Sequence, residues 1–342
     1  MQQDQQNQKK CNLQLIPQNS IRIKKYCKGM AINKENSLLL IDSLYFIAVY
    51  AFKNGSINKL QLLQSRSSAS ATSTFLNKKS YFISSSQNQL ILWSTTLLGS
   101  YKYIKKLEEH QNTIFCIALH PINDNLIFSS SQDGEIKIWS LSSKKNPCKQ
   151  TISATIGKII QLLINQEGDK LIVLGDNKNI LILQQNGTLW VNKYQVEYNQ
   201  ELNKICFMNN NSFCFSSKQM VLFSHLAQNL QISNIQEETI NRYFSENLLI
   251  NECIHFFKSD TFPFFYDYNK QVLFVVGVCN LYIIKYQNIE SGKLIIDQVI
   301  KYRDVQQSSS FIIAFMSKDG KYLMISDLKS CQIDIFELQD LC

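Results

Sequence analysis

Proline and glycine are scarce, with 4 and 11 among 342 residues, which excludes a collagenous or linker-rich chain. Histidine is as sparse. His110, His120, His225 and His255 stand in different stretches and share no metal-ligand spacing. The ten cysteines include no CxxC pair and no matching histidine pair, so neither a zinc site nor a disulfide framework is expected. Cys116 in "IFCIALH" and Cys206 in "KICFM" read instead as small buried hydrophobes in a reducing compartment. Long apolar runs are missing too. The most membrane-like segment, Leu38 to Phe52, is broken by Asp42 and Ser43, whereas a spanning helix needs about 20 apolar residues. It reads better as two strands around an Asp-Ser turn. The opening "MQQDQQNQKK" has no apolar centre of the kind a secretory signal carries, and residues 1–10 are expected to form a disordered tail. An intracellular protein, cytoplasmic or nuclear, is the expectation. P-loop, GxGxxG, HExxH, EF-hand and kinase signatures are all absent, so no enzyme, cofactor or metal is expected.

What the chain does have is strand-forming residues: 45% of it is hydrophobic, with 20 Phe and 15 Tyr, which predicts an all-β fold. The stretch "SSSQDGEIKIWS", Ser129 to Ser140, reads as strand, tight turn and strand. Its second strand puts Ile136 and Ile138 on one face and the large Trp139 on the other, whereas a half-exposed sheet alternates apolar with polar. Both faces must therefore be covered. The pattern recurs at intervals of about 40 residues, each unit spelling four short strands between polar turns. Seven units follow from this count, at approximately 24–64, 65–107, 108–150, 151–198, 199–235, 243–302 and 303–342.

On these residues the unit at 108–150 resembles a WD40 repeat, and the chain from residue 11 onward resembles a seven-bladed WD40 β-propeller of four-stranded antiparallel blades. Most other units lack the histidine and the tryptophan. The resemblance implies that His110, Ser129, Asp133 and Trp139 form a structural hydrogen-bonded tetrad. A Ser-His-Asp trio also suits a hydrolase, but Ser129 falls inside an expected strand and no GxSxG elbow exists. The last unit stops without an outer strand, and the resemblance implies that residues 11–17 supply it and close the ring. Phosphoinositide-binding propellers carry an FRRG motif that is missing here. Cullin-ligase receptors carry an arginine shortly after a blade tryptophan, whereas "SLSS" follows Trp139 and "STT" follows Trp93.

Two surface features remain. Residues 1–171 carry 21 Lys/Arg against 10 Asp/Glu, while 172–342 carry 14 against 17. Within the basic half, Lys78-Lys79, Lys105-Lys106 and Lys144-Lys145 sit in expected turns and strand ends, as a candidate patch for RNA or an acidic partner. The other feature is "FFKSDTFPFFYDYNKQ", read as an insertion between the first two strands of the sixth unit, with Phe262, Phe264, Phe265 and Tyr266 as candidate protein-binding anchors. The same aromatics also suit a staple that holds a long loop against the core. The preceding "IQEETINRYFSENLL" is compatible with a helix. A non-catalytic scaffold that binds other proteins within a larger complex is expected, with an RNA- or ribonucleoprotein-associated propeller as the alternative.

Overall fold

The computed structural model describes residues 12–23, 27–43, 45–64, 72–99, 102–154, 156–176, 179–197, 202–217, 221–225, 264–277, 279–288, 293–302, 312–327 and 331–341. Among these are 27 strands and no helix. β1 (Asn12–Arg22) comes first. The first sheet is β2 (Cys27–Ile32), β3 (Leu38–Ser43), β4 (Phe46–Lys53) and β5 (Ser56–Gln64). The second is β6 (Ser73–Phe75), β7 (Tyr81–Ser86), β8 (Gln89–Ser94) and β9 (Lys105–Glu108). The third is β10 (Ile114–Leu119), β11 (Leu126–Ser131), β12 (Glu135–Ser140) and β13 (Cys148–Ser153). The fourth is β14 (Ile159–Ile164), β15 (Lys170–Gly175), β16 (Asn179–Asn186) and β17 (Leu189–Glu197). Three strands are described for the fifth, β18 (Leu202–Phe207), β19 (Ser212–Ser217) and β20 (Val221–His225). The sixth is β21 (Phe264–Asp267), β22 (Val272–Val276), β23 (Asn280–Asn288) and β24 (Lys293–Lys301). The seventh combines β25 (Ile312–Met316), β26 (Tyr322–Asp327) and β27 (Gln332–Leu341) with β1.

The leading strands of successive sheets touch around a ring: β2 meets β6, β10 meets β14, β14 meets β18, β18 meets β21, β21 meets β25 and β25 returns to β2, while β7 bridges to β10. This is a β-propeller of antiparallel blades, in which each sheet is packed between two others. The double burial read from "EIKIWS" follows. Ile136 and Ile138 pack with Leu171 and Val173 of the fourth sheet and with Ile156 just ahead of it, and Trp139 packs with Ile83, Leu90 and Leu92 of the second. Each isoleucine so buried contributes roughly 1.5–3 kcal/mol. Gly134 permits the hairpin, because its φ of 77° lies in the left-handed region that side chains resist.

Glutamine side chains stitch neighbouring blades. Gln150 donates to the Trp190 carbonyl (2.7 Å) and accepts from its N–H (2.9 Å), imitating a strand partner between the third and fourth blades. Gln161 does the same with Ile205, and Gln298 with Leu13 of β1.

Three sequence readings change. β1 pairs with β27 from Asn12 to Arg22 rather than ending at Pro17, with a bulge between Pro17 and Asn19. It is the outermost strand of its sheet, where a residue lacking an N–H is tolerated. Asp42 is not in a turn. It lies within β3 opposite Gly29 and is buried. The aromatic run does not separate the first two strands of its sheet, because Phe264 to Asp267 are the first strand, paired with Val272 to Val275. The expected tail at 1–10, the helix-compatible segment and Phe262 lie outside the described residues.

Candidate functional site

Antiparallel pairing sets Ser129 of β11 opposite Lys137 of β12, and Trp139, one residue from the end of β12, reaches back to the same hydroxyl. The indole N–H donates to Ser129 Oγ at 2.7 Å. His110 Nε2 is also 2.7 Å from that oxygen, and its Nδ1 is 3.0 Å from Asp133 Oδ2. With the neutral tautomer that has its proton on Nδ1, every polar group is satisfied: His110 donates to Asp133, Ser129 donates to His110 and Trp139 donates to Ser129. Burial pushes the His110 imidazole below its ordinary value, against the opposing pull of the Asp133 carboxylate. Burial pushes the Asp133 carboxyl up, but the N–H of Glu135, the His110 side chain and the N–H of Gln111 outweigh it and hold the acid below its ordinary value. Asp133 thus also caps its own turn, accepting from Glu135 N (2.9 Å), and holds the segment after His110 by accepting from Gln111 N (3.1 Å). The Ser129 side chain is wholly buried among these partners, which leaves no approach for a substrate carbonyl. Glu135 lies close enough to His110 and Asp133 to suggest a metal set, but the last two are already engaged with each other.

Residues 101–140, which contain all four of these side chains, match the WD domain, G-beta repeat family. The chain is a β-propeller that carries a WD40 repeat at residues 101–140. Its similarity to known proteins is local. It is 35% identical over 78 residues to the DDB1- and CUL4-associated factor 13 of Xenopus tropicalis, covering 23% of this chain and 17% of that one. The human protein of the same name is 27% identical over 85 residues, 25% and 19% of the respective chains. The Drosophila melanogaster GATOR2 complex protein Wdr24 is 23% identical over 128 residues, 35% and 16%. The chain therefore aligns with under a fifth of the length of these curated relatives.

The second blade keeps half of the tetrad in the WD40 pattern, with Trp93 Nε1 donating to Ser84 Oγ at 2.9 Å. Its Asn88 side chain donates to the His110 carbonyl (2.9 Å) and so anchors the histidine of the next blade.

The six candidate lysines share one rim. Turns after the first and third strands of an antiparallel blade emerge on the same side, and all six lie there: Lys78 and Lys79 after β6, Lys105 and Lys106 at the start of β9, Lys144 and Lys145 between β12 and β13. Hydrogen bonds make the group continuous across two blades. Lys78 Nζ donates to the Ile122 carbonyl (2.8 Å) and Lys79 Nζ to Asn125 Oδ1 (2.6 Å). Lys105 Nζ donates to the carbonyls of Leu141 (3.2 Å) and Ser143 (2.6 Å), and burial lowers its pKa. Asp124 accepts the backbone N–H groups of Asn77, Lys78 and Lys79, joining the two turns.

The aromatic candidates behave differently from one another. Phe265 packs against the core shared by the sixth and seventh blades, among residues such as Phe274, Ile283 and Leu323. Tyr266 stands edge-on to Tyr268 at 5.1 Å, and Tyr268 donates to the Phe207 carbonyl of the fifth blade (3.2 Å). Phe264 lies on β21.

Sequence reasoning missed the seam between the first two blades. Asp42, wholly buried, accepts from both the N–H and the hydroxyl of Ser73. A charged residue inside "LLLIDS" was the available signal, since an acid buried within a strand needs a partner.

Proposed function

We propose that this chain is a non-catalytic scaffold that holds partner proteins together in a larger intracellular complex. The observation that carries the reading is the burial of Ser129, whose hydroxyl is engaged by both His110 and Trp139, which favours a packing role for this Ser-His-Asp trio over a chemical one. The names of the matched relatives, a DDB1- and CUL4-associated factor and a GATOR2 complex protein, support membership in multi-protein assemblies. Trp139 is followed by Ser140, Leu141, Ser142 and Ser143, without the arginine expected of a cullin-ligase receptor, so the proposal names no ligase.

The lysine rim favours a second reading, association with RNA, because clustered ammonium groups attract phosphate. Size-exclusion chromatography of tagged protein from its native cells, followed by mass spectrometry, tests the first. Elution well above the 39.6 kDa of the chain, with stoichiometric protein partners, is expected. Elution as a lone chain overturns it, and nuclease-sensitive elution favours the second.

A further inference from the structure

The lysine rim of the second and third blades carries more than charge. Its turns and strand ends, residues 76–80, 95–99, 102–106, 120–125 and 141–149, hold eight lysines and one acid, Asp124. That acid is buried and accepts three backbone N–H groups, and its single charge leaves these turns strongly net positive. Lys144 and Lys145 are exposed and form no ion pair among the described residues.

Apolar side chains stand among these cations. Leu97 is 58% exposed, Ile122 57%, Tyr103 49% and Ile104 45%, so four of the large hydrophobics exposed on the described surface fall on this rim. Its continuity rests on hydrogen bonds. Thr95 of the second blade donates through its N–H and its hydroxyl to the Ser80 carbonyl (2.9 and 2.8 Å), and Leu141 N donates to the Asn125 carbonyl (2.8 Å). With the lysine contacts described above, the turns of both blades form one connected surface.

The geometry points to a docking site on this rim for an acidic peptide segment of a partner protein, one that carries aliphatic side chains between its carboxylates. Charge complementarity selects an acidic ligand. Aliphatic exposure selects a peptide over a nucleic acid, because single-stranded bases are held by stacking on aromatic rings or guanidinium planes. Leu97, Ile104 and Ile122 offer no such plane. Among the described exposed residues of this rim the one aromatic ring is Tyr103, which has the Lys106 ammonium 4.8 Å from its centroid and meets Trp93 edge to face at 6.4 Å, so its contacts are partly committed. Several cations are also held in place before binding: Lys78, Lys79 and Lys105 are tied to Ile122, Asn125, Leu141 and Ser143, which reduces the ordering cost of association.

This inference rests on the scaffold reading and names the surface and the partner chemistry it uses. Fluorescence anisotropy on the purified full chain tests it, with a labelled peptide of repeated Glu-Glu-Leu, a matched Glu-Glu-Ser peptide and an oligouridylate of similar charge as probes. The leucine peptide is expected to bind more tightly than either control. Lys144→Glu with Lys145→Glu should weaken it about tenfold, as reversal of rim charges does, and Ile122→Ser about threefold, with the melting temperature preserved. Lys144→Ala with Lys145→Ala provides a milder variant should the reversal perturb folding. Equal binding of the serine peptide overturns the apolar half of the proposal, tighter binding of the oligouridylate overturns the choice of partner, and unchanged binding by both lysine variants overturns the site. Should the native complex survive in the charge-reversed variant, this surface fails while the scaffold reading stands. A wild-type chain that elutes alone fails the scaffold reading on its own measurement.

Discussion

Asp42 and Ser73 join the first two blades through a carboxylate that accepts a backbone N–H at 2.8 Å and a hydroxyl at 2.6 Å. Burial pushes this acid up to about 6 from an ordinary 3.8, and the two Ser73 hydrogen bonds recover only part of the cost. The folded state therefore holds this proton more tightly than the unfolded chain does. The contribution is most favourable below the ordinary value and is lost as pH rises through about 6. The difference is worth on the order of 3 kcal/mol. Asp42→Asn should thus melt higher than wild type at pH 7.5, with the gap closing toward pH 5. Thermal melts across that range check it, and a constant gap would show that Asp42 does not titrate there.

Replacing Asp133 by alanine should remove at once the acceptor for His110 and those for the N–H groups of Glu135 and Gln111. The expected cost is about 1–3 kcal/mol for a buried polar group left under-satisfied. Denaturant unfolding measures it directly. An unchanged midpoint would show that the four-residue network contributes nothing to stability.

Deletion of residues 1–22 should strip β1 from β27 and expose the edge of the seventh sheet, raising light scattering at micromolar concentration. Deletion of residues 1–10 alone leaves that pairing intact and should not. Equal scattering from the two truncations would mean that β1 is not what closes the ring.

Gly168 has a φ of 80°, and a Cβ placed on it would lie 2.3 Å from the His120 ring in the adjacent blade. Gly168→Ala should lower the melting temperature through strain and collision together. In a His120→Ala background the collision disappears, so the same change should cost measurably less. Strict additivity of the two substitutions would deny the contact.

The strand repeat was legible because each blade is buried on both sides, and double burial leaves a mark in the sequence: Ile136 and Ile138 against Trp139 cannot be a half-wet strand. The rest depended on partners far away along the chain. Asp42 resembles a turn residue until Ser73 arrives beside it, and the aromatic run reads as an insertion although Phe264 to Asp267 find strand partners in Val272 to Val275. The lysines were visible as pairs, but their convergence on one rim follows from strand order: turns separated by dozens of residues share a side only because each sheet alternates direction. The glutamine clamps left no signal, since Gln150 in "CKQTIS" reads like any exposed polar residue until Trp190 is in place.

The pairing of β1 with β27 has a consequence for synthesis. Residues 12–22 leave the ribosome before any of the other strands described, yet their hydrogen-bond partners at 332–341 follow all of those strands. Each intervening blade can form from neighbours in sequence, whereas the seventh must wait for a contact between chain segments more than 300 residues apart, the type of contact that slows folding most. Until β27 has been made β1 is thus without its sheet partner, and the bulge at Pro17–Asn19 gives it a break in register that disfavours pairing with a wrong edge in the meantime.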